Sequence, residues 1–143
     1  MHFDVAYVIS LKESIKRRTK FFRYAKNANL EVTWFEGIRG DLVDVQTLQE
    51  NKMLTMPFEM KLPGSLGCLL SHVATWDLVK ENSHEVGLIF EDDAIISPSF
   101  LRKMSEISWE DVPSDWDMIW LGWHKLNCDA VNQHFGTPKN GKD

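Results

Sequence analysis

Two short, unbroken apolar runs, Val5-Ala6-Tyr7-Val8-Ile9 and Val86-Gly87-Leu88-Ile89-Phe90, constrain the fold of this chain more than any other feature. A strand with one wet face alternates apolar and polar residues, whereas a run that is apolar throughout belongs to a strand buried on both faces. Segments with helical spacing lie between the runs. Ile15, Phe22 and Ala25 can share one helical face, with Lys16, Arg17, Arg18 and Lys20 at the start and outer side, and Asn27 to Asn29 closes that helix. Residues 31–36 carry Val32, Trp34 and Phe35 and stop at Gly37 and Gly40, which predicts a second strand. Leu42, Val45 and Leu48 recur at helical spacing, while residues 52–63 have no period and contain Pro57 and Pro63, the mark of a loop. From Ser65 to Glu81 the residues Leu66, Leu69, Leu70, Val73, Leu78 and Val79 predict a helix capped by Gly64-Ser65. Ser97-Pro98-Ser99 opens a further helix over Phe100 to Ile107, and Met118-Ile119-Trp120-Leu121 predicts a last strand. Strands alternating with helices imply an α/β fold with a mostly parallel open sheet flanked by helices.

Composition narrows the function. The 143 residues suffice for one domain with its own core, and six Trp and eight Phe are too many for a disordered segment. A formal net charge of −5 gives no broad cationic surface, so nucleic acid is not an expected partner, nor is an anionic membrane. No secretory leader is visible after Met1, and no run approaches the ~18 apolar residues of a membrane span. Cys68 and Cys128 lie far apart and form no disulfide framework. A cytoplasmic location, or one peripheral to a membrane, is the expectation, with a lumenal one left open.

In an open α/β sheet, ligands collect outside the carboxyl ends of the strands, and Glu91-Asp92-Asp93 follows directly on the second apolar run. Along extended backbone Glu91 and Asp93 would point to one side and Asp92 to the other. Two carboxylates facing one pocket suit a hard divalent ion, Mn²⁺ or Mg²⁺, whose remaining ligands come from a substrate diphosphate. A solvated acidic turn is the plainer alternative. It does not account for an apolar strand running into three acids without an intervening Gly or Asn.

Three segments, taken in order and spacing, resemble glycosyltransferase family 25, which includes lipooligosaccharide and collagen galactosyltransferases. They are Val8-Ile9-Ser10-Leu11 with Arg17-Arg18, Gly64-Ser65-Leu66-Gly67-Cys68-Leu69-Leu70-Ser71-His72, and Leu88-Ile89-Phe90-Glu91-Asp92-Asp93. The resemblance implies a nucleotide-diphosphosugar transferase fold of the glycosyltransferase A type, a UDP-sugar donor, a Mn²⁺-type cofactor and transfer with inversion to a glycan or glycoprotein acceptor. It places Ser10, Leu11, Arg17, Ser71, His72 and Asp92 at the donor, with Glu91 and Asp93 on the metal. Residues 1–135 then form a nucleotide-sugar-binding domain, the donor half of a longer catalytic domain, and 136–143 a flexible tail. Ser10 stands where the family has Asn, Ser65 where it has Glu, and Arg39 where Asp is common. The catalytic base is not assigned.

Several residues have a plainer reading. Arg17 can equally be part of a solvated basic helix face, and His72 a helix histidine held by a carbonyl. Cys68 and His72, four apart on a helix, can touch, but no nucleophile elbow accompanies them, so Cys68 is expected to be a buried structural thiol. Trp76 and Trp120 are expected in the core, and Trp123-His124 at the lip of the pocket. Two other functions share the acidic motif: a binding module that keeps the donor site without transfer, and a metal-dependent phosphohydrolase or nucleotidyltransferase.

Overall fold

The computed structural model describes residues 2–54, 63–122, 128–131 and 135–138. Its sheet is built around β1 (Val5–Ser10), which takes β2 (Thr33–Glu36) on one side and β3 (Gly87–Glu91) on the other, both parallel. The central position explains the unbroken apolar run, since Ala6, Tyr7 and Val8 are all buried, Val8 completely. Asp4 fixes where β3 begins: its Oδ2 accepts from the Glu85 and Val86 N–H groups at 2.8 and 2.9 Å, and its own N–H donates to the Val86 carbonyl. The α/β reading with a parallel sheet therefore holds, on three strands.

Helix α1 (Ile15–Asn27) returns the chain from β1 to β2. Its buried face is Phe21 and Ala25, not the expected Ile15, Phe22 and Ala25; Ile15 is 62% exposed. Adjacent phenylalanines differ by about 100° around a helix, and only the sheet decides which one it covers. Phe21 packs on Phe90 of β3 with ring centroids 5.4 Å apart, and Phe90 meets Phe100 at 5.9 Å. After β2 come a single 3-10 turn (Gly40–Leu42) and α2 (Val45–Glu50), whose start is capped by Asp44, accepting from the Gln46 and Thr47 N–H groups. Most of the loop expected over 52–63 lies outside the described residues.

Helix α3 (Pro63–Glu81) begins two residues before the expected Ser65, with the proline where a missing N–H costs nothing. Its buried residues are Leu66, Gly67, Ser71 and Thr75, whereas Leu69 is 45% and Trp76 42% exposed. The apolar spacing predicted the helix but misplaced its inner face. Hydroxyls can be buried there because each finds a carbonyl one turn back: Ser71 Oγ donates to Gly67 O at 2.6 Å and Thr75 Oγ1 to Ser71 O at 2.5 Å.

The chain divides into two compact units, residues 2–100 and the segment from Leu101 onward. The second holds most of α4 (Phe100–Ser105), another 3-10 turn (Trp109–Asp111) and an antiparallel pair, β4 (Cys128–Ala130) with β5 (Gly136–Pro138). One expectation needs correction. Met118 to Leu121 is not a strand: it has no extended pairing among the described residues, Met118, Trp120 and Leu121 are exposed, and the Trp120 indole N–H donates to the Met118 sulfur. Among the described residues no helix is long and apolar enough to cross a membrane.

Candidate active site

Two adjacent arginines of α1 do different work at the carboxyl edge of the sheet, and one of them holds the loop that leaves β1. Arg18 turns onto the indole of Trp34, its guanidinium carbon 4.0 Å from the ring, and donates to the Leu11 carbonyl at 2.8 Å and the Lys12 carbonyl at 3.3 Å. Trp34 Nε1 in turn donates to the Ser10 carbonyl at 2.9 Å. A cation stacked on an aromatic face and donating to two carbonyls fixes this loop without any glycine. The sequence singled out Arg18 only as part of the Arg17-Arg18 pair and Trp34 only as a strand residue, with no sign that the two stack.

Arg17 points the other way. One of its terminal nitrogens lies 2.7 Å from Asp92 Oδ1 and 3.0 Å from Asp93 Oδ2. Asp92 is 7% exposed and also accepts from Ser10 Oγ at 2.7 Å. Ser10, Arg17 and Asp92, three of the predicted donor residues, thus form one bonded group at the carboxyl edge of β1 and β3. The extended backbone ends at Glu91, and the Ala94 N–H closes a turn on the Glu91 carbonyl at 3.0 Å. Alternation therefore stops before Asp92 and Asp93, and side-chain direction there is set by the turn and by Arg17.

Glu91 has its own neighbours. Its Oε1 is 3.5 Å from His72 Nε2 and 3.8 Å from Cys68 Sγ. Cys68 is exposed, contrary to the buried thiol expected, because it sits one position past the inner face of α3. Partial burial, and then the negative charge of Glu91, raise its thiol above the ordinary 9.0.

A cavity of about 420 Å³ lies beside these groups, between the loops after β1 and β2 and the start of α3. Ser10, Leu11, Arg17, Ser71, Glu91 and Asp92 all line it, while His72 and Asp93 do not. The Ser71 hydroxyl accepts from the Ile38 N–H at 2.8 Å while donating to Gly67, so it tethers the β2 loop to α3. The same contact explains two glycines. A Cβ on Gly40 would overlap the Pro63 carbonyl oxygen, and one on Gly67 would lie 2.6 Å from the Gly40 nitrogen. Arg39, on the cavity wall, is a member of an acid-paired group: it lies 3.3 Å from Glu13 and grips Asp41 through two nitrogens, which raises the Arg39 pKa and lowers that of Asp41. Trp123 and His124, expected at the lip, lie outside the described residues.

A parallel α/β sheet with a polar cavity at its carboxyl edge is the architecture of a ligand-binding α/β domain. The sequence profile of glycosyltransferase family 25 (LPS biosynthesis protein) matches residues 3–136, and the chain belongs to that family. Procollagen galactosyltransferase 1-A of Xenopus laevis is 27% identical over 143 residues, covering 93% of this chain and 23% of that protein. Procollagen galactosyltransferase 2 of Mus musculus is 28% identical over 136 residues, 88% of this chain and 22% of that one. A glycosyltransferase 25 family member of Aedes aegypti is 28% identical over 132 residues, with 86% and 22% covered. The chain thus spans less than a quarter of these relatives. No solved structure matches it.

Proposed function

We propose that this chain forms the donor-binding side of a metal-dependent glycosyltransferase, taking a UDP-hexose, galactose or glucose, and passing the sugar with inversion to a hydroxyl on a glycan or a protein. One observation carries the reading beyond family membership. The cavity wall presents Glu13, Asp41, Glu91 and Asp92 against Arg17 and Arg39, and both guanidiniums are already paired with acids. Such a wall repels a diphosphate and attracts a cation, so a nucleotide would enter well only together with a divalent ion.

Glu91 and Asp93 are the carboxylates that would hold that ion, and they are 52% and 67% exposed. Glu91 faces His72 and Cys68 while Asp93 pairs with Arg17, so both side chains must turn to share a metal that keeps waters and phosphate oxygens as its other ligands. Bound there by Glu91 and Asp93, Mn²⁺ or Mg²⁺ would neutralise charge on the leaving diphosphate. Asp92, nearly buried between Ser10 and Arg17, acts as a positioning residue: it holds the β1 loop against the acidic turn. Both Arg17 ion pairs run through one nitrogen, and the side chain lines the cavity, so its guanidinium can add a phosphate contact. Ser10 and Leu11 supply the adjoining wall, and Ser71 keeps the opposite wall in place.

Calorimetry with UDP, with and without Mn²⁺, tests the reading. Binding is expected to require the metal and to weaken at least about tenfold in Glu91→Gln and in Asp93→Asn, each loss being about 1.4 kcal/mol or more. UDP affinity that is indifferent to Mn²⁺, or unchanged in both variants, would sink it. Release of UDP from UDP-galactose or UDP-glucose in the presence of acceptor, absent from Asp93→Asn, separates transfer from mere binding.

A further inference from the structure

We propose that Cys68, His72 and Glu91 form a zinc-binding site at the rim of the cavity. Cys68 and His72 are four residues apart on α3 and so share one helical face, and Glu91 closes the group from the end of β3. Sγ, the imidazole nitrogen and the carboxylate oxygen all lie within 4.8 Å of one another. Ligands at about 2.3 Å for sulfur and about 2.0 Å for nitrogen or oxygen, arranged tetrahedrally, stand about 3.3 to 3.6 Å apart. The observed separations are 3.5 Å from Glu91 to His72 and 3.8 Å from Glu91 to Cys68. Both Glu91 separations are within a few tenths of an ångström of that geometry, and Cys68 and His72 need only close from within 4.8 Å by side-chain rotation.

The ligand set selects the metal. A thiolate with an imidazole suits Zn²⁺ and is a poor match for Mg²⁺ or Mn²⁺, which favour oxygen. Three protein ligands leave the fourth tetrahedral position to water or to a ligand entering the cavity, which Cys68 and Glu91 both line. Binding is a proton exchange: the thiol loses its proton to solvent, the sulfur lone pair and the Nε2 lone pair go to the metal, and nothing is oxidised. Cys68 and Glu91 are exposed and His72 partly so, leaving the group accessible. Glu91 cannot serve this ion and the donor's metal at once, so zinc occupancy would inhibit Mn²⁺-dependent UDP binding; that consequence alone rests on the proposed function.

Co²⁺, a spectroscopic stand-in for Zn²⁺, tests the site directly when titrated into the whole chain. The expected result is a sulfur-to-cobalt charge-transfer band with strong tetrahedral visible absorption, both abolished by stoichiometric Zn²⁺. The band should vanish in Cys68→Ser and persist in Cys128→Ser, and Zn²⁺ affinity should fall at least about tenfold in His72→Gln. Circular dichroism confirms that each variant is folded. Absence of the band in the folded wild type, or its survival in Cys68→Ser, would overturn the proposal. If UDP and Mn²⁺ fail to bind while the band is present, the donor reading fails and the zinc site stands; the reverse pattern removes the zinc site alone.

Discussion

Asp92 shows at the scale of one residue how three adjacent acids are given three different tasks. Its carboxylate is shared between the Ser10 hydroxyl and Arg17, and it is nearly buried, while Asp93 stays exposed and Glu91 faces α3. Removing it takes the nearest partner from both, leaving the Ser10 hydroxyl a 3.4 Å contact with the Leu11 carbonyl and Arg17 its pair with Asp93. Asp92→Ala should cost about 1.5–3 kcal/mol in urea unfolding, with the lower part of that range favoured because Arg17 is half exposed and solvent screens it. Asp92→Asn, which keeps an acceptor for Ser10 and loses only the charge, should cost clearly less. Equal losses would mean that the Ser10 bond contributes nothing. The triplet was legible in the sequence because acids seldom follow an apolar strand directly. Its partition was not, because alternation ends with the strand and Arg17 and Arg18 look alike until a helix sends one to the acids and the other to Trp34.

Among the elements, α3 departs most from its pattern. Leucines at helical spacing predicted the helix, yet the side facing the β2 loop is Gly67 and Ser71, because at Gly67 that loop approaches backbone to backbone and leaves no space for a Cβ. The helix therefore carries two glycines of opposite character. Gly67→Ala forces the Ile38–Gly40 segment away and should destabilise by about 1–3 kcal/mol or more. Gly64→Ala, with nothing within 4 Å of the added carbon, should be neutral or stabilise by up to about 1 kcal/mol. Thermal unfolding of the pair decides the matter: similar shifts would show that the close approach is not tight. The same logic covers Phe21 and Phe22, where the period predicted a buried face and only the sheet chose the residue.

For the whole molecule, the distribution of acids matters more than the net charge of −5. Asp4 has its pKa lowered chiefly by the Val86 N–H, Asp41 by Arg39 and Asp44 by Thr47, each below the ordinary 3.8. A carboxyl whose folded pKa is depressed contributes stability that is complete above its unfolded pKa and is lost as pH falls through the folded one. Stability should therefore hold from neutrality down to about pH 5 and decline below about pH 4. In Asp4→Asn the neutral-pH stability should be lower and the acid decline shallower, as read from urea midpoints between pH 7 and pH 3. A parallel decline in both proteins would remove Asp4 from the account. At this scale, too, the parallel α/β plan was legible from two unbroken apolar runs, whereas the last expected strand was not there: Met118 to Leu121 has strand-like residues, but strand propensity needs a neighbouring edge to pair with.

By itself the sequence determined the period of each segment, the order strand, helix, strand, and the placing of three carboxylates at a sheet's edge, since these depend on residues close together in the chain. Tertiary contact alone decided which phenylalanine is buried, that Cys68 is exposed beside Glu91 and His72, and that Arg17 faces the acids. Those outcomes depend on atoms brought together from positions as far apart as Ser10 and Asp92, and local spacing carries no information about what will stand opposite.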